Sequence, residues 1–396
     1  MSMVLNSSSD TRLTILLLSA YDAGSHQQWR QTLCEMFPHC HWTCLTLPAR
    51  HFAWRVRGNS LSWAFNHRRE LTDNYDLVIA TSLTDLASLR GFVPTLAGIP
   101  TLVYFHENQF AYPPSADQHS SVEPAMVNLY SALCADHVAF NSEWNRRSFL
   151  LGAQQLLAKL PDHVPPGLTE QIRDRSSVLP VPLPDQLFIP RQQARRPHAG
   201  PLQIVWNHRH EYDKGPDLLL LIVTELIQGT LIQGTQPFRL HLLGQRFRRR
   251  PKAFSVLDAV LNEYYQRLGI EPGVNEYISS RADYQQLLMQ SDIVLSTALH
   301  DFQGLSMLEA VALGCYAVAP DALAYPEYLP ADGLFAAAGL DLPTQARSAA
   351  QCIQRHAQAL LRSPTPALNH QDYAARLSAS ALRSSWQHTL HALLKS

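Results

Sequence analysis

Leu202-Gln203-Ile204-Val205-Trp206-Asn207 is an apolar run that opens into the polar loop His208-Arg209-His210-Glu211-Tyr212-Asp213-Lys214-Gly215-Pro216-Asp217. An unbroken run of that length is the pattern of a strand buried on both faces, and the residues that follow, from about 215 to 228, have helical spacing. The alternation continues downstream, with strands predicted at 239–243, 276–279 and 293–296. Upstream, residues 13–19, 77–80, 101–105 and 137–141 are further apolar runs separated by helix-like stretches. Strands alternating with crossover helices imply parallel sheets, so the fold class is α/β, with each half of the chain a Rossmann-like unit.

At 396 residues and 46% hydrophobic content, the chain is long enough for two cores with a cleft between them. The stretch 160–201 is proline-rich, and Leu179-Pro180-Val181-Pro182-Leu183-Pro184 can neither continue a helix nor fill a central strand, which makes it the natural linker. The predicted organisation is an N-terminal unit over 1–183, a C-terminal unit over 184–370, and a helix over 371–396. Tyr373, Leu377, Leu382, Trp386 and Leu390 of that helix are free to pack on its own unit or to cross back to the first. Leu226-Ile227-Gln228-Gly229-Thr230 is repeated at once over 231–235 and reads as a loop insertion.

A net charge of -1 excludes a globally basic nucleic-acid binder, so any RNA contact must be regional. The candidates are Arg50, His51, Arg55 and Arg57 with Trp54 interleaved; His67, Arg68 and Arg69; and Arg246, Arg248, Arg249, Arg250 and Lys252. Arginine mixed with aromatics suits RNA backbone and unstacked bases, although for any single cluster a solvated loop is the simpler reading. None of the six cysteines forms a CxxC pair; Cys34, Cys40 and Cys44 near His39 and His41 have the wrong spacing for zinc, and reduced thiols are the better reading. The leader lacks a secretion-signal pattern and no apolar run approaches the roughly 20 residues of a membrane span, so a cytoplasmic protein without membrane attachment is expected.

Four segments follow predicted strands, where open α/β sheets bind ligands. Asp301-Phe302-Gln303-Gly304-Leu305-Ser306-Met307-Leu308-Glu309 places two carboxylates eight positions apart around a helix start whose free N–H groups suit a diphosphate. In isolation, a capping Asp301 and a solvated Glu309 would explain the same residues. Arg209 and Lys214 can neutralise a leaving diphosphate, though such cations are usually ordinary surface charge. His106-Glu107-Asn108-Gln109 groups polar side chains at one strand end, and Gly24-Ser25-His26 is a small-residue turn that allows close backbone approach.

Together, Arg209 with Lys214-Gly215 and the segment from Asp301 to Glu309 resemble the donor site of glycosyltransferase family 4, in which an E-x7-E motif follows an Arg…Lys-Gly loop; this chain has Asp301 at the first acidic position. The resemblance implies a GT-B architecture, two Rossmann-like domains with parallel sheets facing an interdomain cleft, the acceptor on the first and the donor on the second. Gly24-Ser25-His26, Leu47-Pro48-Ala49-Arg50 with Trp54-Arg55, Tyr104 through Pro113, and Phe140-Asn141-Ser142 further resemble the tRNA-queuosine α-mannosyltransferase family. That resemblance implies retaining transfer of mannose from GDP-mannose to the queuosine of tRNA-Asp, with no cofactor and no metal. It implies catalytic roles for His106, Arg209, Lys214 and Asp301, and donor contacts from Gly24, Arg209, Lys214, Gly304, Leu305, Ser306 and Glu309. Acceptor contacts are implied for Ser25, His26, Arg50, Trp54, Arg55, Glu107, Asn108 and Gln109. The alternatives are a lipid or polysaccharide acceptor, or a non-catalytic RNA-binding protein on the same scaffold.

Overall fold

In a computed structural model, which describes residues 12–112, 121–188, 200–246, 250–362 and 368–395, the apolar runs become two parallel sheets. The first contains β1 (Thr14–Asp22), β2 (His41–Pro48), β3 (Leu77–Thr81), β4 (Thr101–Phe105), β5 (His137–Phe140) and β6 (Ser176–Val178), in the order β2-β1-β3-β4-β5-β6. The second contains β7 (Leu202–Asn207), β8 (Phe238–Leu243), β9 (Ile293–Leu295), β10 (Tyr316–Pro320) and β11 (Leu334–Phe335), in the order β11-β10-β9-β7-β8. In both, the first strand of the half sits with its successor on one side and a later strand on the other. This order reversal opens a crevice beyond the carboxyl ends of β1 and β7.

Alternating side chains divide the β1 strand between two layers. Ile15 and Leu17 join Trp29 and Trp386 on one face, while Leu16 and Leu18 join Val56 and Trp63 on the other. The helix Pro216–Gln233 is long and apolar enough to cross a bilayer by composition alone, yet it turns Leu218, Leu219, Ile222 and Val223 into the core of the second sheet.

The chain end returns to the first sheet. Leu183 bridges to Ser378, and the helix Ala379–Leu393 lays the buried Trp386 against Tyr104, ring centroids 5.3 Å apart, and Trp29, 6.1 Å apart. The halves also meet through Gln303, whose amide exchanges two hydrogen bonds with the Val181 backbone, and through Glu327, whose carboxylate accepts from the N–H groups of Glu143 and Trp144 at the start of the helix Glu143–Leu157.

Three expectations need correction. Residues 276–279 are not a strand: the chain passes beside β8 at Gly273, where a Cβ would stand 1.9 Å from the Leu240 carbonyl, and pairing is limited to Leu242 N–H with the Val274 carbonyl. The repeat at 226–235 is mostly helix rather than loop, because it extends Pro216–Gln233 by further turns until Gly234 ends it in the left-handed region at φ 68°. Five residues do not match the 3.6-residue helical period, so Leu226 is buried while its copy Leu231 is half-buried, and Ile227 is half-buried while its copy Ile232 is 79% exposed. The stretch 160–201 also contributes structure, since Ser176–Val178 extends the first sheet. Its residues 189–199, together with Pro113, Arg248 and Arg249, lie outside the described residues.

Candidate functional site

The loops after β1, β4, β5, β7 and β9 converge on a cavity of about 260 Å³. Ser25 and His26 reach it from the first turn of the helix Gly24–Met36, His106 and Glu107 from the end of β4, and Asn141 from the end of β5. Facing them are Asn207, His208, Arg209 and Lys214 after β7, and His300 to Ser306 after β9. The Rossmann-like halves thus supply opposite walls of one site.

Histidine dominates the lining. His26 stacks on His106 with centroids 4.1 Å apart, and His106 meets the edge of Trp29 at 4.7 Å. His26 Nδ1, His106 Nε2, His208 Nε2, His300 Nε2 and Asn207 Oδ1 are all buried without a hydrogen-bond partner. Unpaired buried polar atoms are costly, so a group of them around one cavity marks a place built for a polar ligand. Burial holds these imidazoles neutral: it lowers His26; it takes His106 well below its usual value, with His26 adding to the effect; and it takes His208 down to about 4, with Lys214 adding to the effect. His300 is lowered by burial and then by Lys214. A neutral imidazole can both donate and accept, which suits sugar hydroxyls better than a fixed cation does.

The cationic loop is sharply set. Gly215 holds φ 63°, and a Cβ there would stand 1.9 Å from the Thr297 carbonyl, so only glycine lets this turn close on the β9 loop. Lys214 Nζ donates to the His300 carbonyl at 2.7 Å and lies 3.4 Å from Asp213 and 3.9 Å from Asp301. Arg209 pairs with Glu211 at 2.7 Å and approaches Asp213 at 3.8 Å. Both cations are therefore paired with carboxylates.

Asp301 accepts from the Gly304 N–H at 2.8 Å through Oδ1 and from the Tyr325 hydroxyl at 3.1 Å through Oδ2. Burial alone would raise its carboxyl, but Lys214, His208 and the Gly304 N–H outweigh that and hold it below the usual range. Asp301 thus both caps the loop and lines the cavity. Gly304, at φ 75° with the Tyr325 ring where a Cβ would go, starts the helix Leu305–Ala312 with its first residues at the cavity wall.

Other expected residues lie elsewhere. Glu309 is outside the lining: it is buried in a pair with Arg281, one contact being 3.1 Å, and burial raises its carboxyl. Gly24 starts its helix without lining the cavity. Asn108 is fully buried and spends its amide on Asn145 and Ser148 and its oxygen on the N–H groups of Phe110 and Ala111, so it shapes the loop. Gln109 is fixed through its N–H to Asn128 Oδ1 and does not line the cavity. Arg55 is buried, while Arg50 and Trp54 stand exposed away from the lining.

The structure adds Tyr112, Asn141, Asn207, His208 and His300. Tyr112 donates to Glu107 at 2.9 Å and packs on His300, centroids 4.2 Å apart, joining the two walls. Position directly beyond a strand end flags Asn141, Asn207 and His208; Tyr112 lies in the stretch 104–113 that carries the resemblance, but its spacing does not single it out. The Cys34, Cys40, Cys44, His39 and His41 group does not converge on a metal geometry among the described residues. Asp332, His356 and His370 do converge, but the Ala317 N–H donates to His370 Nδ1, which leaves the ring proton on Nε2, 3.3 Å from Asp332.

Comparison with solved structures gives the same architecture. HepE of Anabaena, solved in complex with UDP, superposes with TM-score 0.61 at 16% identity, over 96% of this chain and 100% of that one. Sucrose-phosphate synthase from Thermosynechococcus elongatus superposes with TM-score 0.67 at 16% identity, over 97% and 100%. Two facing Rossmann-like units around a polar cleft give the chain the GT-B fold. Residues 14–183 match the family model for the tRNA-queuosine alpha-mannosyltransferase N-terminal region. A tRNA-queuosine alpha-mannosyltransferase of Drosophila melanogaster is 32% identical over 327 residues, covering 81% of this chain and 83% of the relative. The chain belongs to the tRNA-queuosine alpha-mannosyltransferase family.

Proposed function

We propose that this enzyme transfers mannose from GDP-mannose to a cyclopentenediol hydroxyl of queuosine in the anticodon of tRNA-Asp, with retention of configuration, in the cytoplasm. The observation that carries the reading is the cavity itself, in which unpaired neutral imidazoles face Arg209, Lys214 and the first residues of the helix Leu305–Ala312. The diphosphate lies against Arg209, Lys214 and the N–H groups of Leu305 and Ser306, displacing Arg209 from Glu211. Asp301, His106 and Asn207 hold mannose hydroxyls. Ser25, His26 and Glu107 face the acceptor, and Glu309 reaches the donor ribose only by leaving Arg281.

The acceptor hydroxyl attacks the anomeric carbon on the face from which the diphosphate leaves. As the new C–O bond forms, the bond to phosphate breaks, and the hydroxyl proton passes to the departing phosphate oxygen. Negative charge grows on the leaving group, where fixed cations and amides stabilise it most; these protein charges take the part a metal would otherwise play, and no metal is included in the proposed reaction. Mass spectrometry of anticodon nucleosides, after purified enzyme is incubated with queuosine-containing tRNA and a panel of sugar nucleotides, is expected to show hexosylated queuosine from GDP-mannose. Transfer to RNA lacking queuosine, or only to lipid extracts, would overturn the acceptor assignment.

A further inference from the structure

The helix Phe52–Asn66 carries two arginines and no carboxylate, and its inner side is committed to the protein. Val56 and Trp63 enter the core, and the Asn59 amide donates to the carbonyls of Arg55, Val56 and Leu83 while its oxygen accepts from Asp85 N–H. The outer side is different. Trp54 is 57%, Leu61 41% and Phe65 68% exposed, and Phe92, 39% exposed, extends the line with its ring 5.8 Å from that of Phe65.

The Trp54 indole lies along the helix over Gly58, where a Cβ would come within 2.3 Å of it, so glycine is what lets the ring lie flat with its other side open. Exposed arginines stand at both ends of this line, Arg50 before it and Arg68 and Arg69 after it. The helix starts beside the cavity wall: the Phe52 ring meets Tyr21 at 5.8 Å, and the Tyr21 phenol is raised by burial and then by Glu107, a lining residue. Its fifteen residues extend about 22 Å from there.

We propose that the outer face of Phe52–Asn66 docks single-stranded RNA flanking the acceptor nucleotide, with Trp54 and Phe65 stacking on unpaired bases and Arg50, Arg68 and Arg69 meeting phosphates. This rests on the reading that the acceptor is a tRNA. It gives Arg50 and Trp54 a place in acceptor binding although neither lines the cavity. Aromatic faces in a row suit splayed bases, which a regular duplex does not offer, and arginines at both ends with no acid on the helix suit a polyanion.

The test compares steady-state transfer to queuosine-containing tRNA by wild type, Trp54→Ala, Phe65→Ala and Gly58→Ala. Trp54→Ala and Phe65→Ala are each expected to raise KM for tRNA roughly 5- to 100-fold, the range of losing one stacked base. Gly58→Ala keeps the tryptophan and favours the helix, yet forces the indole away, so it is expected to raise KM while the melting temperature holds. An Arg68→Glu/Arg69→Glu variant is expected to flatten the salt dependence of tRNA binding. Wild-type transfer to tRNA with KM unaltered in all three single variants would overturn the docking surface and leave the proposed function standing. Variants that lose binding to anionic phospholipid vesicles while keeping wild-type KM for tRNA would reassign the face to a membrane. A wild type that transfers nothing to tRNA would remove the proposed function first.

Discussion

Replacing Lys214 by Met keeps the length of the side chain and deletes the cation that ties the β7 and β9 loops together. Lys214 is 12% exposed, and its partners Asp213 and Asp301 are 5% and 17% exposed at the side chain. Removing one member of such a buried group costs about 3–5 kcal/mol. Here Asp213 keeps Arg209 at 3.8 Å, and Asp301 keeps the Gly304 N–H and the Tyr325 hydroxyl, so the expected loss at pH 7 is at the low end, about 3 kcal/mol. The pH dependence is the sharper part.

In the wild type, the depressed Asp301 carboxyl contributes stability that is present above the ordinary value of 3.8 and lost as pH falls through the folded value. Without Lys214, the largest influence holding the carboxyl down is gone, so its folded value moves up and falling pH relieves the variant by protonating it at a higher pH than the wild type. The difference in unfolding free energy should therefore be largest at pH 7, about 3 kcal/mol, and smaller near pH 4.5. Urea unfolding of both proteins, followed by tryptophan fluorescence at the two pH values, measures this directly. A gap that is the same at both pH values, or under about 1 kcal/mol at pH 7, would refute the claim that Lys214 holds Asp301 ionised.

Three more outcomes follow from the same geometry. His208, His210 and His241 are each pushed down to about 4 by burial, so the stability they contribute is complete above about pH 6.5 and falls at about 1.4 kcal/mol per pH unit for each histidine between there and pH 4, opposed just above pH 4.5 by the raised carboxyls of Glu211 and Glu309; a stability profile flat from pH 6.5 to 5 would contradict their neutral burial. Glu327→Ala removes the cap that one half places on the helix Glu143–Leu157 of the other and is expected to cost about 0.5–2 kcal/mol in denaturant unfolding, whereas an unaltered midpoint would mean that the contact contributes nothing. Trp386→Ala empties a fully buried site against Tyr104 and Trp29 and is expected to cost about 3–5 kcal/mol; a loss under about 1 kcal/mol would show that the returning helix is loosely held.

The strands that were legible are those buried on both faces. Runs such as Leu77–Thr81 and Leu202–Asn207 carry an apolar signal with few competing readings. The edge strand His41–Pro48 mixes exposed and half-buried positions, and Ser176–Val178 is three residues long, so neither leaves a periodic trace. The helix through the 226–235 repeat was hidden because a five-residue copy looks like inserted chain, although neither copy contains a proline to stop it.

In the site, the strand-end rule brought forward His106, Arg209, Lys214 and Asp301, and the structure places all four on the cavity. What spacing does not encode is partner choice. Arg209 meets Glu211 only because the β7 loop folds back on itself, Glu309 turns to Arg281 on a different helix, and Tyr112 reaches His300 across the cleft. Asn108 is a case of the reverse kind, a polar residue at the right strand end whose hydrogen bonds are all consumed locally.

The claim on which the rest depends is that Arg209 leaves Glu211 to take the donor diphosphate. Calorimetric titration of GDP-mannose into wild type and Arg209→Ala, paired with turnover on queuosine-containing tRNA, tests it most directly. The variant is expected to bind roughly 10- to 100-fold more weakly, the worth of one charge-assisted contact, and to lose nearly all transfer. Wild-type affinity and turnover in Arg209→Ala would contradict the account.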